Sequence, residues 1–166
     1  MQVNIALLTV TDTRTLENDK SGAILVKKIK EQNHVLFDRK IIKDEKEEIK
    51  KVLLEWTKKE KLDVIITTGG TGLTGRDITP EAIKESADKE IPVFGELFRE
   101  LSYKTIGTSA MQSRACAVLS NGKYIFALPG SSGGVTDAWE GILKYQLDIN
   151  HKPCNFVELF PRLKEK

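Results

Sequence analysis

A chain of 166 residues, 40% hydrophobic and 30% charged, has the size and composition of one ordinary domain around one core, and residues 1–166 are read as that single domain. Its net charge of +2 gives no electrostatic case for nucleic acid, and no apolar run approaches the roughly 18 residues a membrane span requires. Cys116 and Cys154 lie far apart without metal-type spacing, and Met1-Gln2-Val3-Asn4 has no basic leader, so free thiols in a cytoplasmic, reducing setting are expected.

Val3 to Val10 is a nearly continuous apolar run and reads as a central strand. It stops at Thr11-Asp12-Thr13-Arg14, whose groups suit phosphate or sugar hydroxyls; a plain Asp cap with solvated neighbours fits as well. Asp19-Lys20-Ser21-Gly22 opens a helix with Leu25, Val26 and Ile29 inside. His34 to Ile42 reads as a second strand. The next helix is the clearest, with Ile49, Val52, Leu53 and Trp56 at i, i+3, i+4 and i+7 among charged neighbours. Asp44, between that strand and helix, is most simply a helix N-cap.

The chain is organised around the stretch from Asp63 to Glu81. A β-branched strand runs into four glycines within seven residues, and Thr79-Pro80-Glu81 then reads as a helix start, with Thr79 as N-cap and Pro80 as the first helical residue. Strand, glycine loop and helix N-terminus make an anion site, because glycines let backbone N–H groups approach a phosphate. Gly70-x-Gly72-x-x-Gly75 satisfies the dinucleotide fingerprint literally, which keeps a nicotinamide-dependent oxidoreductase in view, but the helix opens too late. A Walker A reading fails because Arg76-Asp77 stands where Lys-Ser/Thr belongs. Asp77 is then either a turn-capping residue or a Mg²⁺ ligand or base facing phosphates, with Arg76 as counter-charge.

If the first three strands are parallel, Asp12, Asp44 and the Gly69–Asp77 loop share one sheet edge, where α/β proteins bind ligands. Asp44 and Asp77 would face each other, and two converging carboxylates suggest a divalent cation. Further on, Phe94, Leu97, Phe98 and Leu101 form a helix core face, and Thr108 to Arg114 is either another piece of the cleft or a solvated helical turn. Asn121-Gly122 between two apolar runs predicts a hairpin, so the sheet is expected to be mixed. Leu128-Pro129-Gly130-Ser131-Ser132-Gly133-Gly134 repeats the strand–glycine–helix pattern, ahead of a helix carrying Val135, Ala138, Trp139, Ile142 and Leu143. The apolar tail from Asn150 to Pro161 is expected to pack on the body or on a neighbouring subunit.

Thr68-Gly69-Gly70-Thr71-Gly72, with Arg76-Asp77-Ile78-Thr79-Pro80-Glu81, resembles the signature of the molybdenum-cofactor biosynthesis family, which includes the MoaB and MogA proteins and the gephyrin G domain. Thr11-Asp12-Thr13-Arg14, Lys43-Asp44-Glu45 and Leu128-Pro129-Gly130-Ser131 fit too, and Gln112-Ser113-Arg114-Ala115 and Lys152-Pro153-Cys154-Asn155-Phe156 look like the MoaB branch. The resemblance implies a three-layer α/β/α fold with a mainly parallel mixed sheet, assembled as homotrimers or hexamers. It implies Mg²⁺-dependent transfer of AMP from ATP to molybdopterin, releasing pyrophosphate. On this resemblance Asp44 and Asp77 are the essential, metal-holding aspartates. Thr68, Gly69, Gly70, Thr71, Gly72, Thr79, Pro80, Glu81, Pro129, Gly130 and Ser131 would hold pterin and phosphate groups. Thr11, Asp12, Thr13, Arg14, Ser113 and Arg114 would line the same pocket. A non-catalytic molybdopterin carrier of the same pathway is the alternative, and the need for a separate molybdenum-insertion protein stays open.

Overall fold

The computed structural model describes residues 1–165. Six strands form one sheet in the order β2-β1-β3-β6-β5-β4: β1 Asn4–Val10, β2 Val35–Ile42, β3 Val64–Thr68, β4 Lys89–Glu90, β5 Cys116–Ser120 and β6 Lys123–Leu128. β1, β2, β3 and β6 run parallel, with Ile5 opposite Val64 and Val64 opposite Tyr124. β5 reverses against β6, and the short β4 pairs antiparallel with β5. The hairpin turn is the expected Asn-Gly pair, with φ of +47° at Asn121 and +72° at Gly122, the left-handed sense that matches strand twist.

Both faces of the sheet are covered, which is why β1, β3 and β6 read as continuous apolar runs rather than alternating ones. On one face Ile5, Leu7, Ile66, Phe126 and Leu128 meet Leu25 and Ile29 of α1 (Lys20–Glu31), Phe94 and Phe98 of α4 (Pro92–Ile106) and Val135 of α5 (Ser132–Ala138). On the other, Ala6, Leu8, Ile65 and Ile125 meet Ile49, Leu53 and Trp56 of α2 (Lys46–Thr57) and Ile83 of α3 (Thr79–Glu85). Each such buried aliphatic side chain contributes about 1.5–3 kcal/mol. The three-layer α/β/α arrangement with a mainly parallel mixed sheet is the one expected. No helix among the described residues is long and apolar enough to cross a membrane.

Two local expectations differ, and an open one is decided. Leu97, read as core, is 46% exposed beside Val93 at 53%, because α4 buries only the side that carries Phe94 and Phe98. After α5 the helix widens into a π turn over Trp139–Leu143 before the short α6 (Lys144–Gln146), a change of period that the i, i+3, i+4 pattern of apolar residues does not report. The tail packs on its own body: Phe156 stacks on Tyr124 with ring centroids 4.6 Å apart, and Val157 is buried.

From β1 the chain steps to β2 on one side, and the next connection crosses back past β1 to β3 on the other. The carboxyl ends of β1 and β3 therefore flank a topological switch point, the crevice where open α/β sheets take ligands.

Candidate active site

Thr11, Asp12, Thr13 and Arg14 follow β1, Asp44 follows β2, Gly69 and Gly70 follow β3, and Gly130 follows β6. With Thr68 at the end of β3, these residues line one polar cavity of about 300 Å³ beyond the carboxyl edge of the parallel strands. Thr9, Val10 and Ser21 complete its wall, and sequence reasoning missed them. Their signal was faint: Thr9 is the hydroxyl among the last apolar residues of β1, and Ser21 lies at the start of α1.

The floor is set by glycine. Gly69 has φ +103°, and a Cβ there would stand 2.1 Å from the Val10 carbonyl oxygen. Gly70 has φ +67°, and a Cβ would lie 2.3 Å from Thr79 Oγ1 and 2.8 Å from Asp44 Oδ1. Only glycine allows this close approach of the chain to β1 and to the carboxylate. The Gly69 N–H donates to the Leu128 carbonyl at 3.0 Å, joining this loop to the end of β6.

Asp44 does not cap α2. The N-cap position belongs to Glu45, and no side chain caps that helix. Asp44 instead turns inwards beside Gly70. Its Oδ1 is buried without a hydrogen-bond partner, and its pKa is raised first by burial, then by the charges of Asp12 and Asp77. Asp77, further along the loop, is not among the residues that line this cavity, although its charge reaches Asp44. Partial burial pushes its pKa up, but the Thr74 hydroxyl at 2.7 Å, the Thr74 and Gly72 N–H groups and the Arg114 charge outweigh that and hold it below the ordinary carboxylate value. Asp44 thus keeps one oxygen without a donor, the Ile78 N–H and the Arg76 charge offsetting only part of its rise, while Asp77 is solvated by its own turn.

Arg76 straddles the rim. It gives two hydrogen bonds to the Asp12 carboxylate, both 3.1 Å, and one to Glu45 Oε1 at 3.0 Å. The Asp44 N–H adds a bond to Asp12 Oδ1 at 3.1 Å. Arg76 and this N–H lower the Asp12 pKa, so the cation matches Asp12 and Glu45 rather than Asp77.

Several residues expected in the pocket stand behind it instead. Thr79 is the first residue of α3 and not its N-cap; that position is Ile78, and the Thr79 hydroxyl donates back to the Gly69 carbonyl at 3.0 Å. Arg114 is a clamp: its Nε donates to the Gly72 carbonyl and its Nη2 to the Asp77 carbonyl, both 2.7 Å, while its guanidinium pairs with Glu81. The Arg114 N–H also donates to the Thr71 carbonyl, and Thr71 is buried. Ser113, Arg114 and Pro80 line a separate cavity of about 430 Å³ on the far side of the loop. The segment before Ser113, Gly107–Gln112, is a short tight helix of about two turns. Pro129 accepts a bond from Thr68 Oγ1 through its carbonyl, and Ser131 caps α5 by accepting from the Gly134 N–H at 3.1 Å. So Thr71, Gly72, Thr79, Pro80, Glu81, Ser113, Arg114, Pro129 and Ser131 shape and hold the loops whose other members form the cavity wall.

Fold and cavity together define a doubly wound α/β domain with a polar cleft at its switch point. A sequence model described as "Probable molybdopterin binding domain" matches residues 6–148. Molybdenum cofactor biosynthesis protein B of Escherichia coli K12 is 43% identical over 161 residues, covering 97% of this chain and 93% of that protein. The protein of the same name from Bacillus cereus is 46% identical, covering 88% and 87%. A crystal structure of a molybdenum cofactor biosynthesis protein B superposes with a TM-score of 0.89 at 41% identity, over 100% of this chain and 98% of that one. The tungsten cofactor synthesizing protein MoaB from Pyrococcus furiosus gives 0.77 at 36% identity, over 86% and 91%. The chain belongs to the molybdenum-cofactor biosynthesis family, on its MoaB branch.

Proposed function

We propose that this protein acts in molybdenum cofactor biosynthesis by transferring AMP from ATP to molybdopterin. The observation that carries the reading is the buried, unpartnered Oδ1 of Asp44 at the switch point, with the Asp12 and Asp77 charges close enough to raise its pKa. A buried carboxylate oxygen without a donor is costly unless a cation meets it. The residues fit Mg²⁺, which takes one or two carboxylates and completes its shell with water and substrate phosphates. No cluster of three or more metal-type side chains is gathered among the described residues, which agrees with a cation brought in with a nucleotide rather than caged by protein. Asp44 and Asp77 would hold it, and it would supply charge neutralisation where two anions meet.

In the proposed reaction a terminal phosphate oxygen of molybdopterin attacks the α-phosphorus of ATP. One P–O bond forms, the bond from the α-phosphorus to the bridging oxygen breaks, and pyrophosphate leaves with the electron pair. The protein's part is to position and neutralise. The Gly70 N–H and backbone N–H groups of the Gly130 loop orient phosphate oxygens, the Gly69 N–H being held by the Leu128 carbonyl. Arg14 and the hydroxyls of Thr11, Thr13 and Thr68 hold the rest of the ligand. None of these side chains needs to become covalently modified. A homotrimer or hexamer is proposed with it, supported by the exposed apolar side chains Val93, Leu97, Tyr103 and Ile106 on α4. A monomer by light scattering at micromolar concentration would contradict the assembly.

The test mixes purified protein with molybdopterin, ATP and Mg²⁺ and seeks adenylyl-molybdopterin by mass spectrometry, with Asp77→Asn as control. Product from wild type alone supports the transferase. Bound pterin without product replaces it with the carrier reading.

A further inference from the structure

Asp19 is the one acidic side chain in the fully buried class among the described residues, 1% exposed, and the proposed mechanism does not use it. It caps α1 by accepting from the Gly22 N–H at 3.0 Å, a task that needs one neutral oxygen. Its other contacts ask for more. Oδ2 accepts from the Thr9 hydroxyl at 2.6 Å and from Arg39 Nη2 at 3.1 Å, and Oδ1 lies 3.4 Å from Ser21 Oγ. Burial pushes the Asp19 pKa up, but the bonds from Thr9, Gly22 and Arg39 more than offset this and keep it ionised. Gly22 makes room for the pair: a Cβ there would stand 2.0 Å from Asp19 Oδ2 and 3.0 Å from Arg39 Nη2.

An ionised carboxylate only accepts hydrogen bonds. The bond between the two side chains therefore runs from the Ser21 hydroxyl to Asp19 Oδ1, which leaves the lone pairs of Ser21 Oγ for a donor. Arg14 Nη1 is such a donor, at 3.3 Å, while the Thr68 hydroxyl, 3.2 Å away, gives its one proton to the Pro129 carbonyl at 2.9 Å. Arg14 Nη1 also donates to the Gly130 carbonyl at 3.0 Å. The chain Arg39–Asp19–Ser21–Arg14–Gly130 thus starts on β2, passes the first turn of α1 and crosses from the β1 loop to the β6 loop. Ser21, Arg14, Thr68 and Gly130 all line the cavity.

We infer that Asp19 is a positioning residue for the candidate site: through Ser21 it fixes the Arg14 guanidinium between the two loops, setting the width of the cradle and the place of its cation. The inference rests on the proposed reading of the cavity as the molybdopterin site. It needs only pterin binding, not AMP transfer. Asn at position 19 keeps an acceptor for the cap, but it gains donors, loses the charge opposite Arg39 and no longer dictates the direction of the Ser21 hydroxyl.

The experiment titrates molybdopterin into the full chain without ATP, by fluorescence, for wild type, Asp19→Asn, Ser21→Ala, Arg14→Gln and the double variant Ser21→Ala/Arg14→Gln, with melting temperatures alongside. Ser21→Ala and Asp19→Asn are expected to weaken Kd about tenfold, the scale of a lost bond to a charged group. Ser21→Ala should do so with a near-wild-type melting temperature, and Ser21→Thr should recover most of the affinity. The double variant should bind no worse than Arg14→Gln, because both remove one chain of contacts. Where the wild type turns over, KM for molybdopterin should rise with kcat little changed. Wild-type Kd in Ser21→Ala, or additive losses in the double variant, would overturn the inference. Pterin binding without AMP transfer would remove the transferase reading and leave this one standing. A wild type that binds no pterin would end both.

Discussion

The chain uses strand, glycine loop and helix twice, and the two versions behave differently. After β6, the Pro129–Gly134 loop is a standard helix entry: Ser131 caps α5, and a Cβ at Gly130 would meet nothing nearer than Gly69, at 3.3 Å. After β3, the Gly69–Asp77 loop runs through left-handed backbone at Gly69 and Gly70, hands its helix start to an uncapped Ile78, and spends Thr79, Arg114 and Thr74 on holding itself in place. The first version is a capped helix start whose Gly130 lies on the cavity wall. The second is built to bring a carboxylate, Asp77, near the buried Asp44 and keep it there. A local pattern shared by both loops therefore says where the chain turns at the sheet edge, and the surrounding packing says which loop also carries the acids.

The comparison breaks most severely at Gly69. Gly69→Ala should cost about 4 kcal/mol or more, since the new Cβ meets the Val10 carbonyl at 2.1 Å in a left-handed conformation. For a chain of this size that is about 8 °C or more in melting temperature by calorimetry, with AMP transfer lost alongside. Asp77→Asn is next. The loop and the melting temperature should survive, while transfer falls on the order of 100- to 1,000-fold in a single-turnover assay; an unchanged rate would remove Asp77 from the chemistry.

Asp44→Asn sharpens the contrast by a sign. The Asp44 pKa is raised in the folded protein, so the folded state holds that proton more tightly than the unfolded state. Its ionisation therefore costs stability as pH rises above the ordinary value of 3.8, and the penalty is absent well below it. Without Mg²⁺, Asp44→Asn should melt a few degrees above wild type at pH 7 and converge with it in acid. With Mg²⁺ and ATP only the wild type should gain. The smallest effect belongs to the second loop: Ser131→Ala loses one cap, about 1 kcal/mol, or about 2–4 °C.

How much of this was legible depended on range. β1, β3, the α2 face and the Asn121-Gly122 hairpin were readable because each is decided within a few neighbouring residues. Placing Asp12, Asp44 and the glycine loop on one edge needed only parallel strands, which the apolar runs implied. The cap reading of Asp44 was outweighed by tertiary packing, since Gly70 leaves space for an inward carboxylate and Asp12 takes the N–H that follows β2. Arg76 was read as a counter-charge, but its partners Asp12 and Glu45 lie 64 and 31 residues away. Arg114 looked like a pocket cation until its carbonyl partners Gly72 and Asp77 were placed. Asp19 was visible as the opening of α1; Arg39, its partner 20 residues on, depends on which way a residue of β2 points. Sequence periodicity does not fix such long-range pairings.

The reversal of β5 gives the molecule two unlike poles. β1, β2, β3 and β6 send every loop of the candidate site to one end, while the Asn121-Gly122 hairpin and the turn before β3 lie at the other. The five residues of β3 set those ends about 17 Å apart. Lys61, exposed in that far turn, is thus a natural anchor for a dye, a bead or a fused reporter, one that holds the protein by its inert end while the cradle stays open to solution.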